Sequence, residues 1–195
     1  MLPLLLCVEA FGQGRDLQLA TDIVGQRYCA VGAQVDALQL RLRLRYTNTG
    51  SQKLILYRGN KLFYQIFVGR NVEDLEDRRY ETRTTHSRFY DEQPEKIDLP
   101  APGSVFVTLP PGASYESEQV VALPVARGDH PRTSDTLAPG EHVLQMVVST
   151  WYESKGLAQT LRERWQRRGF LWTDLLAAQG VNFQVAKNPS AVVCR

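Results

Sequence analysis

The chain has 195 residues, 43% of them hydrophobic and 23% charged, an ordinary globular composition for one domain. A formal net charge of +2 and a pI near 8.5 are too mild to imply a nucleic acid or an anionic membrane as partner. No apolar run approaches the ~20 residues a spanning helix needs, so membrane insertion is not expected.

Residues 1–14 contain the apolar run Leu2-Pro3-Leu4-Leu5-Leu6-Cys7-Val8, followed by Glu9-Ala10. The run is either the tail of a secretory signal peptide or a plain apolar N-terminal segment; Val8-Glu9-Ala10 offers small residues for cleavage. Leu6 before Cys7 argues against lipidation. With the leader removed, Cys29 and Cys194 remain, near the start and end of a single domain over residues 15–195. In a secreted or periplasmic setting they would pair, and closing so long a loop is worth about 5 kcal/mol by chain entropy. The alternative is two unpaired thiols. No C-x-x-C is present, so neither a zinc site nor a thioredoxin-type redox site is indicated.

Residues 18–31 read as an edge strand leading into residues 37–48, where the pattern is clearest. Leu38, Leu40, Leu42, Leu44 and Tyr46 share one strand face, while Gln39, Arg41, Arg43, Arg45 and Thr47 share the other. Wound as a helix, the same residues would scatter leucine and arginine around every side. Asn48-Thr49-Gly50-Ser51 is a turn, and residues 53–57 read as the strand returning along this one. Residues 61–68 are apolar on both faces, as a covered central strand would be.

Residues 71–100 are crowded with acids and bases. Residues 80–85 have strand character and suit an edge; the rest reads as a long loop, a class that is functional or mobile in compact domains. Strands follow at 104–109, at 119–125 (stopped at Pro124), at 142–151 and at 181–185. Between the last two, Leu157, Leu161 and Trp165 recur at helical spacing, with Ser154 placed to cap and Gly169 to end the helix. This insertion spans about 154–178. Trp165 and Trp172 are read as anchors packing it on the sheets; the alternative is an exposed aromatic pair for carbohydrate or peptide.

These elements predict an all-β, antiparallel β-sandwich of about seven or more strands with one short helical insertion before the last strand. Leu137-Ala138-Pro139-Gly140-Glu141-His142 resembles the turn and strand start of immunoglobulin-like and fibronectin type III domains. His142 stands where those domains carry a corner tyrosine. Thr108-Leu109-Pro110-Pro111-Gly112-Ala113-Ser114-Tyr115 is similar to the Pro-Gly turn of exported bacterial immunoglobulin-like domains. The resemblance implies a binding, adhesion, inhibitory or structural module, and fold alone does not decide among these.

Catalytic signals are weak: there is no Gly-x-Ser-x-Gly elbow, no dinucleotide or P-loop signature, and each histidine lacks triad company. Asp129-His130 and Glu141-His142 bracket one loop and contain acceptable metal ligands, but neighbours on a strand point to opposite faces. Solvated loop residues and a corner histidine are the simpler reading, so no metal or cofactor is expected. Arg127-Gly128-Asp129 matches the integrin-recognition tripeptide, a match frequent by chance. Two basic groups stand out: Arg41, Arg43 and Arg45 on the strand, and Arg162, Arg164, Arg167 and Arg168 on the helix. Either would suit an anionic surface, but carboxylates from residues 71–95 are available as partners.

We therefore expect an exported, non-catalytic binding module for a protein partner, with a spacer domain of an envelope assembly as the alternative. The candidate interaction surface comprises Tyr80, Arg83, His86, Phe89 and Tyr90 of the charged segment, with Trp165 and Trp172 of the insertion.

Overall fold

A computed structural model describes residues 16–31, 35–58, 63–87, 106–126, 136–151 and 154–194. Residues 1–14, Phe89, Tyr90 and the 127–130 segment, with its tripeptide and His130, lie outside them. The alternating stretch forms β2 (Val35–Asn48). Leu38, Leu40, Leu42, Leu44 and Tyr46 are fully buried, because every second side chain of a strand enters the core. β2 is the centre of a three-stranded antiparallel sheet between β1 (Leu17–Ala30) and β7 (Ser114–Ala126). β7 runs through Pro124 rather than stopping there. It is an edge strand, where a missing N–H is tolerated, and the Pro124 carbonyl accepts from Leu137 N at 2.8 Å.

The strand after the turn, β3 (Leu54–Tyr57), does not return along β2. It lies in a separate sheet, antiparallel to β6 (Phe106–Leu109) and parallel to β9 (Phe170–Leu171). Both edges of β2 are already taken, and buried Asn48 turns the chain away. Its Nδ2 donates to the carbonyls of Gln52 (2.8 Å) and Leu109 (2.9 Å), and its Oδ1 accepts from Gly50 N (3.0 Å).

The second large sheet has β8 (Gly140–Ser149) and β4 (Phe63–Gly69) at its centre. β8 pairs with β10 (Leu175–Ala177) and β11 (Val181–Val185), and β4 pairs with the terminal strand β5 (Thr82–Ser87). The two apolar faces of β4 serve two clusters. Tyr64, Ile66 and Val68 join the main core, while Phe67 packs with Val143 and Leu75 outside it. Leu75 belongs to α1 (Val72–Glu76), a turn of helix capped by Asn71 inside the segment read from sequence as loop.

α2 (Lys155–Trp165) is capped by Ser154, whose Oγ accepts from Leu157 N at 3.1 Å. Leu161 and Trp165 enter the same buried cluster as the β2 leucines and the inward residues of β4 and β8, and the result is a β-sandwich-like, all-β fold. The chain's last described residues lie along β1: Ala30 N donates to Val192 O and Val192 N to Tyr28 O, both at 2.9 Å. There Cys29 and Cys194 form a disulfide with a Cα separation of 5.3 Å. Among the described residues no helix is long and apolar enough to cross a membrane.

Candidate functional site: two charged surfaces

The residues expected to form one interaction surface divide. Trp165 and Trp172 are buried, at 1% and 4% exposure, and so leave that surface. They are the anchors of the insertion, Trp165 meeting Phe106 edge-on at 5.0 Å. Tyr80 and Arg83 stay together at the β4–β5 end of the second sheet. The Tyr80 ring lies 4.6 Å from that of buried Phe67, and the exposed Arg83 guanidinium stands 5.3 Å over the same ring. His86 is in β5, opposite Tyr64 in register.

Three of the acids before β5, Asp74, Asp77 and Glu81, are occupied locally. Asp74 and Asp77 pair with Arg79, and those contacts hold its guanidinium above the usual arginine range. Glu81 Oε1 pairs with Arg70 Nε at 2.6 Å, and Glu81 Oε2 meets His142 Nδ1 at 2.6 Å. His142 is fully buried, and its Nε2–H donates to the Ala138 carbonyl at 2.7 Å. The histidine thus bonds back to the backbone four residues upstream. Both ring nitrogens are engaged, so His142 has a structural place.

Among the described residues, Arg43 and Arg45 find their partners on β7 rather than in the charged segment before and within β5. Arg45 Nε contacts Glu116 Oε1 at 2.7 Å, and Arg43 Nη2 stands 3.8 Å from Glu118 Oε1, in the register Arg45↔Glu116 and Arg43↔Glu118. The bond that Arg45 donates to Glu116 raises its guanidinium above the usual arginine range. Arg41, opposite Gly25 and Val120, faces no acid across either strand.

The helical arginines are placed differently. After Trp165 the chain turns sharply: Arg168 N and Gly169 N both donate to Trp165 O, and Phe170 N donates to Lys53 O at 2.8 Å to begin β9. Gly169 (φ 150°) is required, since a Cβ there would lie 2.8 Å from the Lys53 carbonyl. This close approach brings Lys53 beside Arg162, Arg167 and Arg168, around a concavity of about 390 Å³ also lined by Phe170 and Gln166. Arg162 is half-buried and fixed. Its Nε donates to Leu171 O (3.0 Å), its Nη2 to Thr173 Oγ1 (2.6 Å), and its Cζ lies 4.5 Å over the Phe170 ring. Sequence reading found the arginines but missed Lys53, which only the parallel β3–β9 pairing brings to them, and the seat of Phe170 beneath Arg162. No family model matches the chain, and comparisons with curated proteins and with solved structures also find no match.

Proposed function

We propose that this chain is an exported, immunoglobulin-like binding module that engages a protein partner and catalyses no reaction. The fold-level part of this reading is supported by strand order: β1-β2-β7 and β11-β8-β4-β5 follow the A-B-E and G-F-C-C′ orders of immunoglobulin sandwiches. The disulfide supports an oxidising, extracytoplasmic setting. The observation that carries the binding role is the packing of Tyr80, just before β5, and Arg83, in β5, on Phe67 of neighbouring β4. Tyrosine and arginine held by packing are the residue types that dominate protein interfaces. β5 is the last strand of that sheet among the described residues, and such a strand lets an extended segment of a partner add to the sheet.

The test is a photo-crosslinking residue at the exposed Thr85 position of β5, with the exposed Gln159 position of α2 as control, in the source organism's envelope fraction. One stoichiometric protein adduct from position 85, weakened by Arg83→Glu, supports the reading. Adducts shared with position 159, or recovery only with bulk envelope material, contradict it and favour a spacer.

A further inference from the structure

We infer that the concavity between α2 and β9 is a binding site for a phosphate or sulfate monoester, separate from the β5 surface. Four cations line it, and among the described residues no carboxylate lies within ion-pair distance of Lys53, Arg162, Arg167 or Arg168. The end of α2 accounts for little of this charge, since a helix C-terminus is worth only about half a negative elementary charge.

Arg162 points most directly to an anion. It is half-buried, and the bonds that fix it go to a carbonyl and a hydroxyl, neither of which carries a neutralising charge. Withdrawing a guanidinium from water without a counter-ion is costly, and a bound anion removes that cost. The other three cations stand on exposed side chains, without an ion pair among the described residues, that reach the same space from two directions, Lys53 from the start of β3 and Arg167 and Arg168 from the turn after α2. A carboxylate is satisfied by one planar guanidinium, whereas a tetrahedral oxyanion accepts bonds from several directions. A volume of about 390 Å³ also exceeds a bare oxyanion, leaving room beside Phe170 for the group that bears it.

The test is an NMR titration of the full chain with phenyl phosphate, phenyl sulfate, inorganic phosphate and citrate, at ionic strength held constant with sodium chloride. Saturable shifts confined to the Arg162 Nε–H and the amides of residues 167–170 are expected, with the phenyl esters tighter than inorganic phosphate. Comparing the phenyl phosphate and phenyl sulfate arms separates the two ester classes. Arg167→Glu with Arg168→Glu should weaken binding at least about tenfold, the scale of one lost charge-assisted hydrogen bond. Arg27→Glu with Lys187→Glu, the same charge change at exposed positions elsewhere, should leave it intact. Shifts that never saturate, equal loss in both double variants, or binding of citrate alone would overturn the assignment.

Discussion

On β2, Arg43 and Arg45 stand across from Glu118 and Glu116; after α2, Arg167 and Arg168 stand across from no acid among the described residues. The charges are the same, and the surroundings differ because of how each group is reached. A strand face is bordered by the faces of its neighbours, so outward residues at every second position of β7 meet outward residues of β2 in register. The α2 arginines lie at a turn whose neighbours are a glycine, an aromatic ring and a lysine. Basic ladders on sheets therefore report sheet pairing, while basic turns report a surface left open.

The β2 ladder contributes to stability through its buried leucine face. Leu42→Ala, at a fully buried position, is expected to cost about 3–5 kcal/mol in denaturant unfolding, with no change in phenyl phosphate binding. The same core holds the Tyr46 and Tyr64 hydroxyls; burial pushes Tyr46 well above its usual value and Tyr64 up to about 12 from 10.0. A raised phenol means that the unfolded chain ionises first. Stability should hold below pH ~10 and fall as pH rises through ~12, Tyr64 accounting for about 3 kcal/mol of the loss, with a shallower fall in Tyr64→Phe.

Gly169→Ala acts on the other group. Its Cβ meets the Lys53 carbonyl, so a loss of about 1–3 kcal/mol and weaker phenyl phosphate binding are expected, with hydrogen exchange of the β1–β2 amides unchanged. Smallest of all, Glu116→Gln with Glu118→Gln should lower the melting temperature only slightly. That difference should vanish in 1 M salt, where screening acts within about 3 Å.

Much of the fold was legible because its signals are local. The leucine alternation of β2, the helical spacing of Leu157, Leu161 and Trp165, the Ser154 cap and the β11 alternation each depend on residues a few positions apart. The cysteine pair followed from there being two candidates once Cys7 was set aside. What stayed hidden depends on pairing across the chain. Glu116 and Glu118 alternate visibly, but nothing near them says that β7 borders β2. The leucines of β3 do not say whether they face β2 or β9. The same long-range pairing that hid the β3 sheet hid the cleft, since Lys53 meets Arg168 only through it.

The most direct test of the contrast reads both arginine groups in one spectrum. In a phenyl phosphate titration at constant ionic strength, the Arg162 Nε–H signal should shift and saturate while the Arg45 Nε–H signal, bonded to Glu116, stays in place. Equal movement of the two, or movement of neither, would contradict the account.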